Sequence, residues 1–178
     1  MNTVSEPVSF PDWLTEHGPS LQPPVNNQLV LPAGEDFIVQ IVGGPNARVD
    51  FHVDPYEEYF YQVKGSMHVI VMTPEGRRRI DIGEGDMWML PRGVPHSPQR
   101  PEAGSIGIVV ERIREPGTTE RFEWYCPNCD HLVRSVELQV SDIVADLPPV
   151  FAAFAADAAG RACAQCGTEH PARAVTTE

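Results

Sequence analysis

His52, Glu58 and His96 are the residues whose types and spacing are best suited to chemistry. They fall in two stretches, residues 50–65 (DFHVDPYEEYFYQVKG) and residues 85–100 (GDMWMLPRGVPHSPQR). Two imidazoles and one carboxylate on a β-rich scaffold form a facial triad, which caps one face of a divalent metal and leaves the other positions open. With non-haem Fe(II), those open positions take substrate and dioxygen. One histidine in a strand is usually a satisfied structural residue. Two separated motifs that each supply ligands are much harder to obtain by chance.

The spacing says more than the residue types. His52 is followed by five residues and Glu58, and six further residues separate Glu58 from Gly65. In the second stretch Gly85, five residues, Pro91, one residue, Gly93, two residues and His96 follow in order. These spacings resemble the two motifs of the cupin superfamily, small β-barrels with a metal near the barrel axis. That pattern usually carries a second histidine two residues after the first, and Asp54 stands there instead. The resemblance therefore implies a site of two histidines and one carboxylate. Asp54 remains a candidate acceptor for the outer N–H of a ligand imidazole.

The elements that must position these residues read as strands. Residues 57–63 and 66–72 form two strands joined as a hairpin at Lys64-Gly65, the glycine supplying positive φ. Alternation puts Glu58, Phe60 and Gln62 on one face. With Glu58 toward a metal, Phe60 becomes a pocket wall and Glu57 points away. Residues 77–82 form another strand, and a strand at 86–90 delivers the Pro91–Gly93 turn that returns His96 to the site. Upstream, a strand at 36–42 is closed by Gly43-Gly44-Pro45. Arg48 follows, four residues before His52, and Arg100 lies four residues after His96, where a cation suits an anionic ligand. Residues 105–114 (SIGIVVERIR) read as a central strand in which Glu111 directly follows three apolar residues. A buried carboxylate is costly unless paired. Arg100 or Arg48 would relieve that cost, and a solvated strand end beside Arg112 is the alternative.

At the N-terminus, residues 10–14 suggest a short helix, and the prolines after Leu21 suggest an extended arm that covers the barrel or crosses to a second subunit. Beyond Arg121 the character changes. All four cysteines fall in two C-x-x-C pairs, Cys126/Cys129 and Cys163/Cys166, with a strand at 136–140 and a helix near 147–158 capped by Asp146 between them. Four thiolates suit tetrahedral Zn(II) or Fe and leave no open position, so this site reads as structural.

Composition bounds the rest. The chain has 178 residues, 42% hydrophobic and 21% charged, which is one globular domain with a small appendage. A net charge of −12 disfavours nucleic acid and anionic membranes as partners. Residues 121–178 hold four Arg, no Lys and eight acidic residues, which argues against a nucleic-acid-binding ribbon. No apolar run approaches membrane-spanning length. The opening MNTVSEPVSFPDW lacks the basic and apolar regions of an export signal, so a cytoplasmic location is expected.

Assembled, these pieces resemble the bacterial 3-hydroxyanthranilate 3,4-dioxygenases. The likeness runs from PPVNNQ through GGPNARVDFHVDPYEEYFYQVKG and LPRGVPHSPQRPEAGS to FEWYCPNCDHLV and CAQCG. It implies a mainly β protein: an N-terminal arm (1–34), a cupin, jelly-roll-like β-barrel (35–120) and a C-terminal extension (121–178). That extension would carry a short helix and a rubredoxin-like metal site at Cys126, Cys129, Cys163 and Cys166, holding Fe or Zn. His52, Glu58 and His96 would hold the catalytic Fe(II), and Arg48 would face dioxygen. Arg100 would meet the substrate carboxylate and Glu111 its amino group. Glu58, Asn27 and Phe60 would also touch the substrate. The implied reaction is extradiol-type opening of 3-hydroxyanthranilate by dioxygen to 2-amino-3-carboxymuconate semialdehyde, within tryptophan breakdown or pyridine-nucleotide biosynthesis, by a homodimer. The alternatives are a ring-cleaving dioxygenase of another aminophenol or catechol-like acid, an isomerase using Zn(II) or Mn(II), and a non-catalytic cupin binding module.

Overall fold

The structure, a computed structural model, describes residues 6–21, 27–31, 36–141 and 143–174. The chain opens with α1 (Phe10–His17) and a 3-10 turn (Gly18–Ser20). It continues through β1 (Asn27–Leu29), β2 (Phe37–Gly43), β3 (Phe51–Val53), β4 (Glu58–Lys64), β5 (Met67–Thr73) and β6 (Gly76–Ile82). Then come β7 (Met87–Leu90), β8 (His96–Gln99), β9 (Ile106–Arg112), β10 (Glu120–Tyr125), β11 (Leu132–Leu138) and α2 (Ile143–Ala156). The strands form two sheets, ordered β1-β2-β9-β4-β7 and β11-β10-β3-β8-β5-β6, with antiparallel pairing throughout. The expected mainly β, jelly-roll-like architecture with a four-cysteine appendage is the one the chain adopts.

Alternation explains why these segments become strands facing one interior. In β4, Glu58, Phe60 and Gln62 are buried while Tyr59, Tyr61 and Val63 are not fully so. Met67, Val69 and Val71 of β5 repeat the pattern. Phe60, Leu90 and Val109 from one sheet pack against Met67, Val69, Val71 and Ile82 from the other, so the two sheets close over a shared core. The strand β6 ends its sheet with three exposed arginines, charges that discourage edge-to-edge pairing. A second cluster of Phe122, Trp124 and Phe154 seats α2 on β10, with the Trp124 and Phe154 rings stacked at 4.3 Å.

Two expectations are corrected. β4 and β5 do not form a hairpin; they belong to different sheets. Gly65 has the expected positive φ of 67°, but it turns the chain from one sheet to the other. There Glu84 accepts the N–H of Gly65 and Glu102 that of Ser66. Both strands bury one face, so each finds better partners elsewhere. Asp146 does not precede its helix either. α2 starts at Ile143, and Asp146 sits in its first turn, where its carboxylate accepts the N–H of Ser141 at 2.8 Å. The arm expected after Leu21 lies outside the described residues between 22 and 26. Leu21 itself is buried, and its carbonyl oxygen lies 2.6 Å from where a Cβ on Gly43 would be, so the N-terminal segment presses on β2.

Candidate active site

Three strands bring the triad together. His52 of β3 and His96 of β8 are register partners on adjacent strands of one sheet. Glu58, the first residue of β4, comes from the other sheet, where it pairs with Glu111 of β9. The turn between β7 and β8 uses Gly93 at φ 74°, and its N–H donates to the Asp54 carbonyl at 2.7 Å, tying the two motif segments to each other. All three side chains are buried.

Hydrogen bonds behind the imidazoles assign their tautomers. His96 Nδ1 faces the Val94 carbonyl at 2.9 Å, and His52 Nε2 faces Glu120 Oε2 at 2.6 Å. Each outer nitrogen therefore carries the proton, leaving lone pairs on His96 Nε2 and His52 Nδ1. Those nitrogens lie 2.9 and 3.4 Å from Glu58 Oε1, which is buried and has no hydrogen-bond partner. Three acceptors thus converge on one another, all within 4.8 Å. This is a cluster that a cation satisfies and a hydrogen-bond network does not. Without a cation, burial opposes charge on His52, but Glu120 and Glu58 outweigh it and raise its pKa to about 9, so in metal-free protein at neutral pH a proton on Nδ1 stands in for the cation. Burial likewise disfavours the Glu58 carboxylate, and the two histidines overcome this to hold it well below the usual range.

The acceptor behind His52 corrects the expectation for Asp54. That role falls to Glu120, while Asp54 accepts the Tyr56 N–H at 2.7 Å and an Arg114 N–H at 2.6 Å. Arg114 is also the residue that answers the Glu111 carboxylate, which neither Arg100 nor Arg48 pairs. Its Nη1 donates to Glu111 Oε2 at 2.7 Å and its Nε to Glu120 Oε1 at 2.7 Å. On the other side Gln40 donates to Glu111 Oε1 at 3.1 Å, and Asn27 donates to Gln40 at 2.9 Å. Burial raises the Glu111 pKa, the Glu58 charge adds to this, and Arg114 opposes it.

Beside the triad is a cavity of about 220 Å³ whose lining includes Asn27, Arg48, Phe60, Arg100, Val109 and Glu111. It adjoins a wider cleft of about 430 Å³ bordered by Ile38, Pro116, Val140 and Leu147. Arg100 is 1% exposed, donates to Gln62 Oε1 at 2.9 Å, and forms no salt bridge among the described residues. Burial alone lowers its pKa to about 10. Its guanidinium lies against Gly107, where a Cβ would stand 2.5 Å from Nη1. Such a cation calls for an anion. Arg48 lines the cavity with its guanidinium paired to Asp50. Glu57 is exposed, as its parity requires. Five carboxylates (Asp50, Asp54, Glu58, Glu111 and Glu120) surround this region against three arginines (Arg48, Arg100 and Arg114).

The four cysteines also meet. Neighbouring Sγ atoms lie 3.4–3.6 Å apart, near the ~3.8 Å separation that bonds of about 2.3 Å to a tetrahedral ion produce. The two knuckles repeat one backbone design. Asp130 N–H donates to the Cys126 carbonyl and Gly167 N–H to that of Cys163, and both residues have positive φ.

Sequence reasoning missed Gln40, Arg114 and Glu120. Gln40 had a signal, a lone polar side chain at inward parity in an apolar strand. Arg114 lies two residues beyond β9 and Glu120 opens β10, with no spacing to mark them.

The sequence model of a family described as 3-hydroxyanthranilic acid dioxygenase matches residues 1–155. A 3-hydroxyanthranilate 3,4-dioxygenase of Paraburkholderia phytofirmans is 50% identical over 98% of this chain and 100% of its own. One of Burkholderia lata is 52% identical over 94% of this chain and 96% of its own. Among solved structures, a cupin-2 domain protein from Shewanella frigidimarina aligns with TM-score 0.48 and 17% identity, over 60% of this chain and 94% of that one.

Proposed function

The chain belongs to the 3-hydroxyanthranilic acid dioxygenase family, and from that premise we propose how its residues open the ring of 3-hydroxyanthranilate with dioxygen. The reaction breaks one ring bond beside the hydroxyl-bearing carbon and places both oxygen atoms in the product, 2-amino-3-carboxymuconate semialdehyde. The observation that carries the reading is the Glu58 oxygen left without a hydrogen bond between two imidazole lone pairs.

His52 Nδ1, Glu58 and His96 Nε2 would hold one Fe(II) ion. Such an ion would supply open coordination positions and redox chemistry toward dioxygen. The chain does the rest by positioning and charge. Arg100 takes the substrate carboxylate, the anion its burial calls for, and so fixes the ring's orientation. Glu111 accepts a hydrogen bond from the amino group and is held for this by Gln40 and Arg114. Asn27 reaches the same corner through Gln40. Phe60 and Val109 offer the ring apolar walls that exclude water. Arg48, fixed by Asp50, supplies positive charge where negative charge develops on oxygen.

The four cysteines hold a second ion, Zn(II) or Fe, which ties the C-terminal extension together. The protein acts as a cytoplasmic homodimer. In favour of the location, the four cysteines gather as thiols in one cluster rather than as disulfides. In favour of the dimer, Tyr59 and Tyr61 line up with Met89 and Met87 on one side and Val110 and Ile108 on the other. That makes an apolar outer face in which Met87 is 69% and Met89 52% exposed.

Metal binding tests the site. With the cysteine site filled by Zn(II), the wild-type protein should bind one equivalent of Fe(II) under anaerobic conditions. Single alanine variants of His52, Glu58 and His96 should each lose it. Undiminished binding in all three would exclude this site.

A further inference from the structure

We propose that Arg114 is a positioning residue for the ring-cleavage site, acting through Glu120 on the ligand His52 and directly on Glu111. The inference rests on the reading of His52, Glu58 and His96 as metal ligands and extends it to a residue that touches neither metal nor substrate.

The guanidinium of Arg114 contacts three carboxylates from three parts of the chain. Nη2 meets Asp54 at 2.6 Å, Nη1 meets Glu111 at 2.7 Å, and Nε meets Glu120 at 2.7 Å, with Nη2 also 3.3 Å from the second Glu120 oxygen. Nε and Nη2 thus grip Glu120 as a fork, and the Glu120 Oε2 atom is the one that receives the His52 ring at 2.6 Å. Only 13% of the Arg114 side chain is exposed, and Glu120 and Asp54 are each 2% exposed. Held this way, Glu120 fixes the proton on His52 Nε2 and turns Nδ1 toward Glu58. The same guanidinium sets one oxygen of Glu111 and leaves the other to Gln40 at the cavity wall.

His52, Asp54 and Glu120 also form a cluster whose geometry by itself would accept a metal ion. Arg114 sits against both its carboxylates. Its fixed positive charge satisfies them and reserves the cation site for the other side of the imidazole. A lysine supplies the charge without the fork, so Arg114→Lys should keep the fold while loosening Glu120.

The test uses full-length protein with Zn(II) in the cysteine site and Mn(II) as probe, because Mn(II) favours nitrogen and oxygen ligands over thiolates. Free Mn(II) is followed by its EPR signal, and substrate KM is measured separately on the Fe(II) form. Loss of an outer partner of a metal-bound histidine typically weakens metal affinity by about 10–100-fold. Glu120→Ala should show that loss. Glu120→Gln keeps an acceptor for His52 and should recover most of the affinity. Arg114→Lys should weaken Mn(II) binding and also raise KM, because one residue serves both sites, whereas Glu120→Ala should raise KM less. Wild-type Mn(II) affinity in folded Glu120→Ala and Arg114→Lys proteins would overturn the proposal. Wild-type protein that binds no Mn(II) sensitive to His52→Ala would overturn the ligand assignment itself, and this inference with it.

Discussion

Glu58 Oε1 lies 2.9 Å from His96 Nε2, yet no hydrogen bond joins them. The Val94 carbonyl takes the proton of His96 on its far side, so two acceptors face each other inside the protein. A divalent ion relieves that repulsion; in its absence a proton on His52, whose pKa is raised to about 9, does so in part. Glu58→Gln should therefore behave unlike an ordinary ligand deletion. Its amide N–H can donate to His96 Nε2, so in metal-free protein above about pH 9, where His52 is neutral, the variant should melt at or above the wild-type temperature. With the cysteine site kept filled by Zn(II), adding Fe(II) should raise only the wild-type Tm. Calorimetry of both proteins, with and without metal, checks this.

Arg100 is the cation assigned to the substrate carboxylate. Hydrogen bonds involving charged groups contribute about 1.5–3 kcal/mol each, so Arg100→Ala should raise KM by at least about tenfold with a smaller change in kcat. Gly107→Ala should imitate it, because the added Cβ would stand 2.5 Å from Nη1 and displace the guanidinium. Its effect on Tm should be slight, since the end of a flexible side chain is what moves. Arg48→Ala should show the opposite split, lowering kcat more than affinity. Steady-state constants for the three variants decide these assignments.

With Glu111 in its proposed role, substrate binding should depend on pH through its carboxylate. Burial raises its pKa above the usual 4.5, a cause that remains when Fe(II) neutralises the Glu58 charge. As pH falls it is therefore protonated sooner than an exposed glutamate and ceases to accept from the substrate amino group. KM should climb on acidification at a pH above 4.5, and Glu111→Gln should flatten that climb while raising KM at neutral pH. KM profiles of the two proteins, each checked for full iron content, make the comparison.

The triad was legible because its three members sit at fixed offsets from turn-forming residues, Gly65, Pro91 and Gly93, which leave marks in a sequence. Parity separated Glu58 from Glu57 for the same reason: side chains alternate along β4. The partners of those residues were not legible. Glu120 meets His52 only because β10 pairs with β3, and Arg114 reaches Asp54 across 60 positions of chain. Such contacts depend on strand order, which local patterning does not encode. The same limit produced the mistaken β4–β5 hairpin: a glycine turn between two alternating strands looks the same locally when the chain crosses between sheets.

The cysteine site should prove structural. Cys163 is 2% exposed, and the nearby Phe154 ring packs on Trp124. Cys163→Ser should release the second ion and lower Tm, leaving turnover per catalytic iron unchanged in the folded protein. Phe154→Ala, which empties part of the core between α2 and β10, should cost about 3–5 kcal/mol of stability. Metal analysis and chemical denaturation separate the two effects.

The apolar outer face of β4, β7 and β9 should be covered in solution. Met87→Lys with Met89→Lys places charge at its most exposed points. The double variant should scatter light as a single chain where the wild type scatters as two.

The central claim is that His52, Glu58 and His96 form the site where dioxygen opens the ring of 3-hydroxyanthranilate. Protein reconstituted with Fe(II) without oxygen, then given 3-hydroxyanthranilate and air, tests it directly through oxygen uptake and the absorbance of the semialdehyde. One dioxygen consumed per semialdehyde formed, with both signals absent in folded His52→Ala, is the expected result. Equal uptake and product formation by His52→Ala, or no uptake by iron-loaded wild-type protein, would contradict it.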